Sequence, residues 1–387
     1  MTNTLVDMQE NIGSPKKVML VGMANSIHVA RWIRLVANTD TEMYLFPSTL
    51  SQKLHSLIQE MVASHSIRLR AHRMNGLVWR IIWAVDLLLG NWIRGKLLER
   101  AIIKYQPDLI HILEFQHAGY LALKASSALK GKEILVTNYG SDIYWFSRFP
   151  RHERRIRALL GLATAYSAEC QRDVLLAESF GFRGRTLPVI PNAGGFDEQQ
   201  LYEEETPLAE RNLILVKGYN GWSGQARLAV AALRGLSSEL SNFSIIFYSC
   251  DWSTIIRVRL FLFGKGLRVQ CFRKGVLSHS KMLELMGRAR IYLGVSRTDG
   301  ISTSLLESIA RGAFPIQSVT SCANEWMEHC KSGYLLQDNT VDGIKAALAW
   351  SMKYTNNLSD TEWQAYRVDK KASLEQVVLQ KVALRFY

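Results

Sequence analysis

The stretch YLGVSRTDGISTSLLESIARGAFPIQS, residues 292–318, decides the reading of this chain. Its apolar opening, YLGVS, preceded by Arg290 and Ile291, predicts a buried parallel strand. The strand enters a loop of mostly small and polar residues, Asp299, Gly300, Ser302 and Thr303, which opens directly into the helix TSLLESIARG. FPIQS then reads as the next strand. The first turn of such a helix has backbone N–H groups without intrahelical partners and the positive end of the dipole, so it suits a phosphate. Gly300 lets a ligand approach the backbone closely. Asp299 and Glu307 flank this anion site, and carboxylates there accept from sugar hydroxyls better than they bind phosphate. Ser304 and Glu307 also have the spacing of a capping box, in which Glu307 would only satisfy backbone N–H groups. The residues alone leave both readings open.

The same grammar extends in both directions. KKVMLV (16–21) reads as a strand running into a Gly/Ala/Asn/Ser turn and a helix over 27–37. DLIHIL (108–113) and EILVT (133–137) read as strands with LALKASSALKG as the helix between them, and TLPVIPNAGG (186–195) as a strand ending in a Pro/Gly turn. FDEQQLYEEETPLAE (196–210) is acidic, polar and without apolar periodicity, which suits a linker. Beyond it NLILV and SIIFYS read as strands, and QARLAVAALRGL, KMLELMGRA and VDGIKAALAWSMK as helices. Strands alternating with helices of this length predict right-handed β-α-β units and parallel sheets. The expectation is two doubly wound α/β domains, 1–195 and 211–357, with a helical tail over 358–387 packing back on the first. Ligands bind beyond the carboxyl ends of strands in such sheets, so the cleft between the domains is the expected site.

Bulk properties narrow the class. A chain of 387 residues with 48% hydrophobic and 21% charged side chains can fill two cores, and disorder is not expected. Cys170, Cys250, Cys271, Cys322 and Cys330 are odd in number and never spaced C-x-x-C, so neither a zinc site nor a disulfide framework is expected, and a reducing cytoplasm fits. The first residues have no apolar signal region. The most apolar stretch, 77–97, is interrupted by Arg80, Asp86 and Arg94, so no membrane span is expected. A net charge of +13 favours an anionic partner without choosing among nucleic acid, lipid and phosphorylated small molecules.

The string Val295-Ser-Arg-Thr-Asp299-Gly300, followed by Glu307-Ser-Ile-Ala-Arg-Gly312-Ala-Phe-Pro315-Ile316, resembles glycosyltransferase family 4, retaining enzymes of the GT-B fold. That family's pattern is roughly P-S-x-x-E-G, then E-A-x-A-x-G-x-P-V, with two acidic positions eight apart. Asp299 stands where the family usually has Glu. The resemblance implies two Rossmann-like domains facing a central cleft. It implies further that Glu307 bonds the ribose of a nucleotide-sugar, that Asp299 holds hydroxyls of the transferred sugar, and that the amides of Gly300, Ile301, Ser302 and Thr303 lie at the sugar and distal phosphate. Asp299 and Glu307 are thus the leading catalytic candidates, with His28 and Asp142.

Other segments carry the resemblance less closely. LILVKGYNGWSGQARLAV (213–230) places Gly218, Gly221 and Gly224 between a strand and a helix, a position where glycine-rich turns cradle phosphates. Tyr219 stands at the family's Arg, leaving Lys217 and Arg227 as the nearest cations for a diphosphate, or as solvated charges on a structural turn. GMANSIHVARWIRL (22–35) resembles the family's opening loop and helix, with Asn25 on the acceptor side and His28 either at a phosphate or packed. VTNYGSDIYWF (136–146) resembles T-x-H-G-x-D, with Gly140, Ser141 and Asp142 matching and Tyr139 in place of histidine. Glu114 and His117, with His111, would form a polar rim, a structural role being equally open. The base is expected near residues 273–276. No D-x-D triplet occurs, so no metal and no cofactor beyond a UDP- or GDP-linked co-substrate is expected.

The basic surplus is concentrated. Arg148, Arg151, Arg154, Arg155 and Arg157 fall within ten residues, and Trp79, Trp83 and Trp92 lie among cations upstream. Tryptophan and cations beside apolar surface suit an anionic membrane, while a buried helix followed by a solvated basic one is the plainer alternative. Nucleic acid is not expected, because no basic groove with stacking aromatics is legible. The expected function is retaining transfer of a hexose to a hydroxyl of a glycan or lipid-linked acceptor, in bacterial-type surface polysaccharide or glycolipid assembly, in the cytoplasm or on the inner membrane face. A nucleotide-sugar epimerase of the same fold and, less favoured, a non-catalytic binder of anionic ligands are the other classes.

Overall fold

The run Lys17–Gly22 forms β1, and its side chains divide between two cores: Met19 and Val21 enter one, Val18 and Leu20 the other. A strand covered on both faces must be apolar throughout, which is why it reads as a continuous run. The computed structural model describes residues 17–36, 41–189, 206–359, 361–363 and 365. With β2 (Glu42–Pro47), β3 (Arg68–Ala71), β4 (Leu109–Leu113), β5 (Glu133–Thr137), β6 (Ala165–Ser167) and β7 (Arg185–Thr186), the first sheet has the order β3-β2-β1-β4-β5-β6-β7. Every pairing in it is parallel.

The second sheet repeats the plan. It comprises β8 (Leu213–Lys217), β9 (Ser244–Cys250), β10 (Arg268–Arg273), β11 (Ala289–Gly294), β12 (Phe314–Ser318) and β13 (Tyr334–Leu336), in the order β10-β9-β8-β11-β12-β13, again all parallel. In β8, Ile214 and Val216 face one core, Leu213 and Leu215 the other. Strand order reverses between β1 and β4 and between β8 and β11, and ligands of doubly wound sheets sit at such switch points. The loops leaving those four strands are therefore the ones to inspect.

Some elements were not legible. The helix Trp252–Phe261 and β10 leave no clear period in the sequence, because Trp252, Ile256 and Leu260 point outward and β10 is a half-exposed edge strand. The single helix expected across LALKASSALKG is instead a chain of short turns, beginning with a π-turn at Phe115–Gly119 and ending at Ser126–Leu129. Most of the expected linker and most of the tail lie outside the described residues. Trp363, at the start of that tail, packs on Leu208 and Phe314 of the second domain.

One expectation is corrected by packing. Trp79 cannot meet a membrane: it is 1% exposed, joins the first core, and donates its indole N–H to the Leu50 carbonyl. Its helix, Gly76–Leu88, bends by 120° into Trp92–Tyr105. Buried Asp86 fixes the bend by accepting from the Ile93 and Arg94 amides and pairing with the Arg94 guanidinium at 3.1 Å. The opposite face is left in solvent, with Leu77, Ile81, Val85 and Leu88 (89% exposed) along it and Trp92 beyond. Trp83 is half-buried. Among the described residues no single helix is long and apolar enough to cross a membrane.

Candidate active site

Where β8 and β11 end side by side, the chain delivers Lys217 from one and the 295–302 loop from the other. Lys217 Nζ donates to the Ser302 hydroxyl at 3.1 Å and stands 3.8 Å from Asp299 Oδ2. Burial lowers the pKa of this ammonium, but Asp299, Tyr292 and Glu307 outweigh that and raise it, so it stays charged. Ser302 is the N-cap residue of the helix Thr303–Ala310, yet its side chain makes no cap bond. Asp299 Oδ1 accepts from the Gly300 amide at 3.1 Å. Ile301 is buried.

Glu307, 3% exposed, lies one turn into the helix. The structure decides against the capping box: Ser304 is inside the helix, where its carbonyl accepts from the Ser308 hydroxyl. The Glu307 carboxylate turns outward instead, 2.7 Å from His279 Nε2 and 3.9 Å from the Arg31 guanidinium of the other domain.

The glycines after β8 serve packing. A Cβ at Gly218 would stand 2.4 Å from Cys250 Sγ, and one at Gly224 would stand 2.3 Å from the Tyr219 carbonyl. The turn they allow lies over the 295–297 loop, with Gly224 bridged to Ser296 and the Ser223 carbonyl accepting from the Arg297 amide. Arg227 is exposed on the first turn of the helix Ala226–Gly235.

From the first domain, the helix Ile27–Val36 brings His28 and Arg31 to the cleft. His28 packs on Tyr139, ring centroids 4.9 Å apart. Burial, then Arg31, lower its pKa to about 4 against the pull of Asp299, so the ring is neutral at pH 7. Asn25 is exposed in the preceding turn. After β5, Ser141 N–H donates to the Tyr139 carbonyl at 3.2 Å around Gly140, whose φ is +85° and ψ −71°. This is a γ-turn of the strained form with positive central φ. Gly140 presses directly on Gly300: a Cβ there would lie 1.9 Å from the Gly300 nitrogen. Beside it, the Thr298 hydroxyl donates to the Ser141 hydroxyl at 3.3 Å.

Two expected cleft carboxylates are turned toward the protein's own backbone. Asp142 is buried and accepts from the Tyr139 amide at 2.9 Å and the Phe115 amide at 3.3 Å, tying the γ-turn to the end of β4. Burial, then Glu114 and Asp173, push its carboxyl well above the usual range. Glu114, at φ +87°, accepts from the Gln116, His117 and Ala118 amides and so caps the π-turn. His117 pairs with it at 3.1 Å, and that bond raises the imidazole pKa. These residues position the loop.

Several contacts that join the domains were not anticipated. Arg172, on the helix Gln171–Ser179, donates to the Asp299 carbonyl at 2.8 Å and the Thr320 carbonyl at 2.9 Å while stacking on Tyr144. Glu325 accepts from the Gln171 and Arg172 amides, capping that helix from the opposite domain, and the Cys322 thiol meets Cys170 Sγ at 2.9 Å. Buried Glu169 accepts from the Ile301 amide, and burial, then Asp299, raise its pKa well above the usual carboxylate range. A signal existed for Arg31, which stands one turn after His28 on the same helix; the others have no local signature.

Behind the site, His111 on β4 is fully buried, contacts the Thr137 hydroxyl at 2.8 Å, and has its pKa lowered by burial to about 3. A folded value below the unfolded one of about 6.5 means the unfolded chain binds the proton first. The contribution of His111 to stability is therefore complete above about pH 6.5 and declines as pH falls toward 3. Replacing it with Gln should make the loss of unfolding free energy between pH 7.5 and pH 5 smaller by about 2 kcal/mol. Urea titrations at the two pH values check this, and equal losses in both proteins would refute it.

The protein family described as glycosyl transferase 4-like matches residues 17–168. By sequence the chain matches no curated protein. Solved structures resemble it over nearly their whole length. HepE of Anabaena, in complex with UDP and glucose, is 14% identical with a TM-score of 0.66, over 95% of this chain and 98% of that one. The α,α-trehalose-phosphate synthase (UDP-forming) of Burkholderia vietnamiensis is 11% identical with a TM-score of 0.69, over 96% and 100%. A glycosyltransferase of Rickettsia africae is 14% identical with a TM-score of 0.63, over 95% and 96%. With two doubly wound sheets meeting across a cleft, the chain has the GT-B fold, and its first domain is similar to the glycosyl transferase 4-like family.

Proposed function

We propose that this chain is a retaining, metal-independent glycosyltransferase that moves a hexose from a UDP- or GDP-sugar to the hydroxyl of a glycan or lipid-linked acceptor. The observation that carries the reading is the convergence of Lys217, Asp299 and Glu307 at the start of the helix Thr303–Ala310, opposite the Gly140 turn. Lys217 and the positive end of that helix would stabilise charge on the departing diphosphate. Glu307 would receive the ribose and Asp299 the sugar, with Gly300 to Thr303 along the phosphate. The diphosphate would take the acceptor proton, leaving the protein to position the reactants. That the HepE structures hold UDP and UDP-glucose makes uridine nucleotides the first to try.

The test is a thermal-shift series with UDP, GDP, ADP and CDP, each with and without EDTA. Binding to the folded state at a hundredfold excess over Kd adds about 2.7 kcal/mol. One nucleotide should raise Tm with or without EDTA, and Glu307→Ala should abolish the rise. No shift with any nucleotide would overturn the donor site, and a shift abolished by EDTA would overturn metal independence. A glycoside product rather than an isomerised donor separates transferase from epimerase.

The reading places the protein in the cytoplasm, docked on the inner membrane face for polysaccharide or glycolipid assembly. The exposed face of Leu77, Ile81, Val85 and Leu88, with Trp92 and the arginines Arg148, Arg151, Arg154 and Arg155, supports it. Co-sedimentation with phosphatidylglycerol vesicles should fall at least fivefold in Leu88→Ser with Trp92→Ser. Equal sedimentation with neutral vesicles would count against it.

A further inference from the structure

At the mouth of the cleft lies a cavity of about 810 Å³ that the donor site does not use. Trp145, Phe146 and Phe149 of the first domain and Trp222 of the second form its apolar wall, and Arg151 and Arg154 stand at its rim. The wall closes across the domains, with the Phe146 and Trp222 rings 5.6 Å apart. Its parts continue from the reacting loops. Trp145 follows the helix Ser141–Tyr144 that begins at the Gly140 turn, and Trp222 rides on the turn after Lys217. Arg297, two residues before Asp299, lies over the Trp145 ring at 5.7 Å.

The chemistry of this cavity is selective. Its volume lies within the range of about 300–1,000 Å³ typical of small-molecule pockets. The lining has no carboxylate or amide side chain, and His152 has its Nδ1 engaged with the Tyr120 hydroxyl at 2.8 Å, so few groups are left to accept from sugar hydroxyls, and a hydroxyl buried without a partner is costly. Hydrocarbon has no such need. Charge at the rim has one sign. No lining residue is acidic, Glu153 is turned to Arg157 at 2.8 Å, and Arg148 adds a further cation stacked on Tyr144 and Trp145. Apolar wall and cationic rim together match an amphiphile whose hydrocarbon chain ends in a phosphate.

The geometry points to this cavity as the acceptor subsite, taking a phosphate-bearing hydrocarbon chain rather than a free glycan. The inference rests on the glycosyltransferase reading and decides which of its two acceptor classes is used. Such an acceptor would lay its chain against Phe149 and Trp222 and its phosphate at Arg151 and Arg154, with a hydroxyl-bearing headgroup joined through that phosphate directed toward the Gly140–Gly300 contact.

Isothermal titration of the full chain with geranyl phosphate, geraniol, inorganic phosphate and maltotriose tests it. Saturating UDP keeps phosphate out of the donor site. Geranyl phosphate should bind at least tenfold more tightly than each of the others. Phe149→Ala with Trp222→Ala should weaken it tenfold or more, and Arg151→Gln with Arg154→Gln should reduce it to the level of geraniol. These side chains are at the surface, so both variants should retain the wild-type Tm. Maltotriose binding as tightly as geranyl phosphate, inorganic phosphate doing so, or geranyl phosphate binding unchanged in both variants would each overturn the proposal. The two readings fail separately: binding of none of UDP, GDP, ADP and CDP refutes the donor site whatever geranyl phosphate does, while nucleotide binding without geranyl phosphate binding refutes only the subsite.

Discussion

Gly140→Ala is expected to lower kcat/KM by at least a hundredfold while the protein remains folded. Two effects act together. The backbone at Gly140 has φ +85° and ψ −71°, which costs an L-residue of order 1–3 kcal/mol. The added methyl would also stand 1.9 Å from the Gly300 nitrogen and 2.0 Å from its Cα, a collision of backbone with backbone that no rotamer relieves. The loops bearing Ser141 and Asp299 must separate, and displacement by about 1 Å is enough to cost a hundredfold in rate. On the proposed reading the second domain would hold most of the donor, so nucleotide affinity should change far less than kcat. Steady-state kinetics beside UDP titration checks this. Wild-type kcat/KM in Gly140→Ala would show that the two loops need not touch during turnover.

Lys217→Ala should be nearly as damaging, for a different reason. It removes the cation that faces both Asp299 and the start of the helix Thr303–Ala310. Losing one preorganised group that stabilises charge in a transition state typically costs about 10²–10³ in kcat, roughly 2.7–4 kcal/mol. Lys217→Arg keeps the charge but not the point geometry, and should recover part of the rate. Because Asp299, Tyr292 and Glu307 outweigh burial and raise the Lys217 pKa, deprotonation of this group should not limit activity on the alkaline side up to pH 9. A Lys217→Ala enzyme within fivefold of wild type would remove Lys217 from the mechanism.

These predictions differ in how far they could be reached from the sequence. That Lys217, Asp299 and Glu307 lie near one another was legible because each sits at a fixed offset from a strand end or helix start and doubly wound sheets bring those offsets to one crevice, while only the family resemblance gave them roles. Asp142 and Glu114 were legible as residues but not in role. A carboxylate near a strand end can face a ligand or its own backbone, and only the structure shows both accepting from amides. Trp79 was likewise ambiguous, since an apolar helix with scattered cations reads alike whichever face is buried.

The continuous apolar runs of β1, β8 and β11, each covered on both faces, and the loop entering Thr303–Ala310 determined on their own that the chain forms two parallel-sheet domains with a polar loop opening directly into a helix beyond β11. Local periodicity and chain-order offsets suffice for that, because neighbours along the chain make those elements. Tertiary structure alone decided the rest: Arg31 beside Glu307, His279 bonded to Glu307, Arg172 on the Asp299 carbonyl, Gly140 against Gly300, and Phe146 against Trp222. Each of these pairs is distant in the chain, and all but His279–Glu307 cross between the domains. The docking of two separately folded sheets, which places them, leaves no period in the sequence of either.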